Sequence, residues 1–223
     1  MMWQSYHLYR PRPHDRFLVD EVKPFVESLQ PDSFFFIRYA DPADHVRLRL
    51  KSEESLDERV LRIFPDAQIV AYVPEVERYV DMAVAERQFE LSSRAVLDAL
   101  SRADWSYDLA LQIAMRMHLD LAEAFALDRQ EFFASTVKRF IRRPDQPRDG
   151  EAEARRLAEF DRRELGPASS DPRWLDGMRE IAARFGNGGR NALQGFVHMT
   201  NNRLGIRYYD EAFIARMIVR SLE

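Results

Sequence analysis

The sequence predicts an α+β protein, with a mainly antiparallel sheet in about residues 1–80 packed with a helical region in about residues 81–223. Short strand-like runs occupy the first part, and one of them alternates polar and apolar residues with the period of two that strands show. In the second part the pattern is helical and is broken at proline-rich and glycine-rich positions. Because strands precede helices instead of alternating with them, a doubly wound parallel sheet is not expected.

The first part is expected to contain four strands and two helices. Pro24 predicts a kink in the first helix. The strongly apolar run from Ser33 to Tyr39 favours a central strand. The turn-rich residues 41–44 follow it and predict a hairpin with the next strand. The strands are expected at about 3–9, 33–39, 44–50 and 68–73, and the helices at 15–29 and 55–64.

The second part is expected to be helical almost throughout, and the whole chain, residues 1–223, is expected to form a single domain. The polar, proline-rich segment 142–151 could be a mobile loop, but it is short for a linker between domains. The helices are expected at about 81–102, 106–127, 129–142, 150–164, 171–185, 189–203 and 209–222.

Composition excludes several classes of function. The net charge is -4, whereas a protein that binds nucleic acid over its whole surface is usually basic. The chain has no cysteine, and its 5 histidines lack the spacing of a zinc-binding helix, so we expect neither a metal site nor a disulfide. The N-terminus does not resemble a signal peptide, and no apolar run is long enough to span a membrane. We therefore expect a cytoplasmic protein that does not contact membranes.

The segment Asp44-His-Val-Arg-Leu-Arg-Leu50 carries the strongest functional signal in the chain. On a strand its apolar residues point to one face, and His45, Arg47 and Arg49 point to the other. Three potential cations in one row repel each other unless an anion lies opposite them. Arginine suits carboxylates and phosphates. The alternative is that these side chains pair with acidic residues of neighbouring strands on a solvated face.

A second motif, Tyr72-Val-Pro-Glu-Val-Glu-Arg-Tyr79, brings carboxylates, an arginine and tyrosines together around a proline. Glu75 and Arg78 are three residues apart, the spacing of neighbours on a helical turn. They could belong to a binding site, or they could form a surface ion pair at the entrance to the following helix.

A third motif lies near the C-terminus, where His198 precedes Asn201, Asn202 and Arg203. On a helix, His198 shares a face with the two asparagines. Histidine can act as a general acid or base near neutral pH, although a lone histidine is more often a structural hydrogen-bonding residue.

In their order and placement these motifs resemble the C-terminal glutamate-elimination domain of lantibiotic dehydratases, which also occurs as a separate protein in thiopeptide biosynthesis. The resemblance spans nearly the whole chain. It is carried by Trp3, Phe35-Phe-Ile-Arg38-Tyr39, His45-Val-Arg47-Leu-Arg49, Tyr72-Val-Pro-Glu75-Val-Glu-Arg78-Tyr79 and His198-Met-Thr-Asn-Asn202-Arg203-Leu204.

The resemblance implies a lyase that removes glutamate from glutamylated Ser or Thr of a ribosomally made precursor peptide, giving dehydroalanine or dehydrobutyrine. It implies no cofactor. The implied partners are the precursor peptide and a separate tRNA-dependent glutamylating protein, without direct contact to nucleic acid. Because larger relatives form dimers, a homodimer is a further expectation. The residues that would serve in catalysis are Arg47, Arg49, Arg78 and His198, and those that would bind substrate are Arg38, His45, Glu75, Asn202 and Arg203.

Two departures from the family pattern leave alternatives open. Val80-Asp81 stands where the family has two glycines, and the stretch 50–71 is short. Some relatives have diverged into cyclases that join two dehydroalanines into the six-membered ring of thiopeptides. The chain could be such a cyclase, or a non-catalytic peptide-binding scaffold of the same pathway. The presence of His198 together with the three arginines favours elimination, because a cyclase has no glutamate to bind.

Overall fold

The computed structural model describes residues 1–79, 81–141, 172–185 and 190–222. The chain divides into two compact units: the first comprises Met1–Ala103 and Gly188–Gly205, and the second Asp104–Asn187 and Ile206–Glu223. Strands occur in the first unit and helices in both, so the α+β class is confirmed. The single domain over residues 1–223 stays a prediction, and the helix expected at 150–164 lies outside the described residues.

The sheet of the first unit is antiparallel and has the strand order β2-β3-β1-β4. The hairpin expected after residue 39 is confirmed, since β2 and β3 pair directly. The expectation that β2 is central is wrong, because β2 is an edge strand. The apolar run shows that both faces of β2 are buried, since Phe34, Phe35 and Phe36 are all buried. It does not show where β2 lies in the strand order. The strands are β1 (Met2–Tyr9), β2 (Ser33–Tyr39), β3 (His45–Ser52) and β4 (Gln68–Val70).

The helices lie close to their expected positions. A π-helical segment, Leu18–Val22, separates the first two and ends two residues before Pro24, where the sequence predicted a kink. Proline has no N–H to donate to the preceding turn, so the regular helical ladder cannot pass through this point. The helices of the described ranges are α1 (Asp15–Phe17), α2 (Lys23–Leu29), α3 (Asp57–Ile63), α4 (Met82–Leu100), α5 (Tyr107–Ala124), α6 (Arg129–Ile141), α7 (Pro172–Phe185), α8 (Arg190–Leu204) and α9 (Tyr208–Ser221).

The core of the first unit lies against one face of the sheet. Val46, Leu48 and Leu50 of β3 have no exposed surface, as the alternation of the sequence predicted. The apolar side chains of α1, α2 and α3 form the opposite layer, and Phe64 lies edge-on to the rings of Phe17 and Phe25. This packing fixes β3 so that its odd-numbered side chains point away from the core.

The second unit is formed by α5, α6, α7 and α9, with α6 and α5 each packed on α9 and α7 packed on α5. Ser106 caps α5 by accepting a hydrogen bond from the Leu109 N–H. Tyr107 donates a hydrogen bond of 2.5 Å to the buried Asp210 carboxylate of α9. Among the helices that the structure describes, none is long and apolar enough to cross a membrane.

Candidate functional site

The odd-numbered side chains of β3 share a sheet face with those of β1. The strand register places His7 opposite Arg47 and Ser5 opposite Arg49. We call the side chains of His7, His45, Arg47 and Arg49 the cationic face. The sequence predicted three of these four residues as one row, and the structure brings them together.

His45 orients Arg47 from within the cationic face. Its ring is fully buried, and its Nδ1 lies 2.7 Å from the carbonyl oxygen of Ala43. The Nε of Arg47 donates to the Nε2 of His45 at 3.1 Å. Because an arginine can only donate, this Nε2 is the acceptor of the bond. Within the row of three potential cations, His45 therefore orients Arg47 through this hydrogen bond.

Arg47 is held in one orientation with its outer nitrogens open. Its guanidinium carbon lies 3.4 Å from the centre of the Tyr39 ring, and His45 takes its Nε–H. The side chain is half-buried, and its two terminal nitrogens make no hydrogen bond or ion pair to any residue that the structure describes. Such a fork is ready to bind a carboxylate through two parallel hydrogen bonds.

Arg49 is a buried cation without an acidic partner in the described ranges. Its side chain is 7% exposed, and its Nε and Nη1 are buried with no hydrogen-bond partner there. Burial and the neighbouring Arg47 lower the pKa of Arg49 to about 10. A buried donor left without a partner costs about 1–3 kcal/mol, and more when the group is charged. The arrangement therefore favours an anionic ligand at this position.

Aromatic side chains line the site beside Arg49. The Tyr72 ring centre lies 5.6 Å from the guanidinium carbon of Arg49 and 5.8 Å from the ring of Trp3. Phe35 lies 5.0 Å from Trp3 and 5.3 Å from Phe89. Burial is the main reason that the pKa of the Tyr72 hydroxyl is raised, so Tyr72 stays neutral at pH 7. An aromatic wall of this kind displaces water and strengthens the attraction between Arg49 and an anion.

Glu75 and Arg78 form an ion pair of 3.2 Å between partly exposed side chains. The side chains of Arg78 and the neighbouring Tyr79 approach α8 very closely. A Cβ at Gly195 would lie 3.0 Å from the Tyr79 hydroxyl oxygen and 3.2 Å from the Nε of Arg78. Glycine at this position of α8 therefore lets Arg78 lie against the helix.

His198 lies on the face of α8 that meets this segment. It is half-buried and follows Gly195 by one helical turn. One turn further on, Asn202 accepts a hydrogen bond from the Arg38 N–H at 2.9 Å and donates one to the Arg38 carbonyl at 2.8 Å. His198 thus lies between two contacts of α8, one of Gly195 with Arg78 and one of Asn202 with the end of β2.

Arg38 and Arg203 form a buried framework and lie away from the cationic face. Arg38 points to the opposite sheet face, where it bonds to Asp15 at 2.5 Å and to the Arg203 carbonyl at 2.9 Å. Arg203 is fully buried and donates to Ser93 and to the Met199 carbonyl. Burial lowers the pKa of Arg203 to about 9. In this geometry both guanidiniums bond to protein groups: Arg38 holds α8 against β2, and Arg203 holds α8 against α4.

Replacing Asn202 with alanine should destabilise the first unit by about 1–3 kcal/mol, because two main-chain groups on the edge of β2 lose their partner. Urea unfolding measures the loss. Asn202→Asp keeps an acceptor for the Arg38 N–H but places a carboxylate beside the Arg38 carbonyl, so it should recover only part of the stability. A free energy for Asn202→Ala within about 0.5 kcal/mol of wild type would contradict this role.

His7 and Asp81 are two residues whose roles sequence reasoning missed. His7 joins the cationic face through its register with Arg47, and its ring lies 4.7 Å from that of His45. The alternation of β1 was the available signal, but the strand that pairs with β1 could not be read from it. Asp81 caps α4 by accepting hydrogen bonds from Ala83 and Val84, whereas Val80 lies outside the described residues.

No group of three or more potential metal-binding side chains occurs in the described part of the chain. The cationic face carries two guanidiniums and two imidazoles, and guanidiniums cannot bind a metal ion. The two arginines of this face suit recognition of an anion.

The chain is similar to proteins of known identity. Epidermin biosynthesis protein EpiB of Staphylococcus epidermidis is 30% identical over 95 residues, which cover 34% of this chain and 10% of EpiB. The tRNA-dependent lantibiotic dehydratase MibB of Microbispora sp. 107891 matches with a TM-score of 0.69 at 21% identity, over 98% of this chain and 27% of MibB. The chain thus spans only a small part of the length of these two proteins.

The chain also matches a solved protein of nearly its own extent. The pyridine synthase TbtD of thiomuracin biosynthesis matches with a TM-score of 0.70 at 15% identity, over 99% of this chain and 97% of TbtD. At this level of identity the likeness shows the fold alone. The family model for the C-terminal part of lantibiotic biosynthesis dehydratases matches residues 3–222. The chain therefore belongs to the lantibiotic dehydratase C-terminal family, whose members act in antibiotic peptide biosynthesis.

Proposed function

We propose that this protein eliminates glutamate from glutamylated Ser or Thr of a precursor peptide, leaving dehydroalanine or dehydrobutyrine. The observation that carries the proposal is Arg49, a buried guanidinium with two unpartnered nitrogens, beside the open fork of Arg47. Two neighbouring guanidiniums without an acidic partner reduce the stability of the free protein, and a bound anion would offset this loss. Membership of the lantibiotic dehydratase C-terminal family supports glutamate as that anion.

The charge change of the reaction suits two arginines. A glutamyl ester has one carboxylate, and the glutamate that leaves has two, because the ester carbonyl becomes a carboxylate as the Cβ–O bond breaks. One arginine can hold the carboxylate that is present from the start, and the other can stabilise the charge that develops. Only the second interaction strengthens in the transition state, so it lowers the barrier. The partly exposed Glu75–Arg78 pair could open to supply a third guanidinium.

The reaction also needs a base, since the α-proton of a peptide is a weak acid. His198 is half-buried and lies on the α8 face that meets Arg78, so it is the residue we assign to proton transfer. Arg38, Asn202 and Arg203 would act as positioning residues, because their polar groups bond to β2, α1 and α4. His45 would position Arg47.

The proposal includes the partners. We infer that the peptide arrives already glutamylated by a separate tRNA-dependent protein, and that this domain contacts no nucleic acid itself. MibB, described as tRNA-dependent, is a much longer chain, of which this chain matches 27%. A homodimer and a cytoplasmic location stay predictions.

Mass spectrometry of a glutamylated precursor peptide incubated with the protein tests the proposal. We expect loss of glutamic acid and formation of a dehydro residue. Arg47→Ala should make glutamylated peptide accumulate, because the oriented carboxylate-binding fork is lost. Arg16→Ala, a change at an exposed arginine of α1, is the matched control and should leave turnover intact. Full turnover by Arg47→Ala would show that the cationic face is not the site.

A ring-forming cyclase is the second candidate, and one observation favours it. The chain covers 97% of the pyridine synthase TbtD but only 27% of the dehydratase MibB. The discriminating substrate is a peptide with two dehydroalanines and no glutamyl group. Formation of a six-membered nitrogen ring with release of the leader would establish the cyclase. Tight binding of both peptides without any mass change would contradict both activities and favour a scaffold.

A further inference from the structure

His7 occupies the centre of the cationic face without a hydrogen bond to any described residue. The register places it between Arg47 of β3 and Gln68 of β4. Its ring lies 4.7 Å from the ring of His45. The charged and titratable groups that face it are Arg47, Arg49 and His45, all from β3, whereas β4 contributes the uncharged Gln68.

This position keeps His7 neutral while the face is empty. Burial, then Arg47, His45 and Arg49, lower its pKa to about 4. No carboxylate of the described residues opposes the two guanidiniums. An anion bound between them would reverse the balance, because an opposite charge within about 4–6 Å favours the protonated imidazole. The half-buried ring of His7 is open enough to meet such a ligand.

We propose that His7 is a third ligand-binding group of the cationic face, which takes up a proton from solvent when a carboxylate binds there. The carboxylate stays ionised, and the new N–H of the imidazolium donates to one of its oxygens. The identity of the carboxylate as that of a glutamyl group rests on the proposed function. The proton uptake does not depend on that function, since it is argued from the position of His7 between Arg47 and Gln68 and from its contact with His45.

The proposal makes binding depend on pH with a definite sign. The free protein holds His7 neutral above its pKa of about 4, and in the complex the opposite charge would raise this pKa to a higher value. Between these values each rise of one pH unit should weaken binding about tenfold, and above the upper value the dependence should disappear.

Nuclear magnetic resonance of the imidazole Cε1–H signals tests this directly, with L-glutamate as the probe and His7→Gln to assign the signal. At pH 5 we expect millimolar glutamate to move the His7 signal from its neutral to its protonated position. Calorimetry in two buffers of different ionisation enthalpy should show proton uptake in wild type and none in His7→Gln. The matched control is Tyr9→Phe, on the same face of β1, which keeps the ring that contacts His45 and should behave as wild type.

Glutamate binding without a change in the His7 signal, or no glutamate binding at all, would overturn the proposal. Its failure is distinguishable from that of the proposed function. If glutamate protonates His7 but glutamylated peptide is not turned over, the carboxylate site stands and elimination fails. If the peptide is turned over while the His7 signal stays neutral, elimination stands and His7 has no part in binding.

Discussion

Arg49→Met should lower turnover of glutamylated peptide by about 10²–10³-fold while leaving the protein as stable as wild type or more stable. The loss of activity follows from removing a donor aimed at developing charge in a water-poor site. The stability gain follows because methionine fills similar volume without an unpartnered buried charge, a replacement that often stabilises by about 1–4 kcal/mol. Mass spectrometry measures the first effect, and urea unfolding measures the second.

Arg203→Met is the matched control for this prediction. Both arginines are buried, and burial lowers the pKa of both, but Arg203 lacks a described partner only at Nη2, because its Nε and Nη1 donate to Ser93 and to the Met199 carbonyl. Losing these bonds should destabilise the first unit by about 2–3 kcal/mol. If Arg49→Met were as destabilising as Arg203→Met, Arg49 would be a structural residue and the anion site would be wrong.

Methionine is expected to preserve stability at Arg49 and to reduce it at Arg203. The sequence could predict only part of this difference. Alternation along β3 predicted that Arg47 and Arg49 share a face, because a period of two is a local property of a strand. The same reasoning could not separate Arg49 from Arg203. Arg203 has partners because it donates to Met199 of its own helix and to Ser93 of α4. The bond to Ser93 joins residues about a hundred positions apart, so no local pattern could predict it.

The position of β2 illustrates the same limit. Its apolar run was correctly read as buried, but the helices and not a neighbouring strand protect its edge. Ser93 accepts a hydrogen bond from the Phe36 N–H, and Asn202 bonds to both main-chain groups of Arg38. His7 was missed for a related reason, since its place beside Arg47 depends on the pairing of β1 with β3. Local patterns therefore predicted elements and faces, whereas long-range pairing decided which residues meet.

His198→Ala should lower turnover by about 10²–10⁴-fold with little change in the affinity for glutamylated peptide. A positioned base contributes in the transition state and not to ground-state binding, so the effect should fall on kcat and not on KM. The matched control is Met199→Leu, a neighbouring change of similar volume on α8, which should cost less than about 1.5 kcal/mol of stability and leave kcat near wild type.

Chemical rescue separates proton transfer from a structural role of His198. The side chain is half-buried, so alanine at this position leaves a space that free imidazole can reach from solvent. If His198 transfers the proton, added imidazole should restore part of kcat in His198→Ala and should leave Arg49→Met inactive, because the lost guanidinium is not replaced by a base. Rescue of neither variant, together with a raised KM in His198→Ala, would mean that His198 holds the peptide. Because the Arg78 segment packs one turn away on the same helix face, that outcome would move the search for the base to this segment.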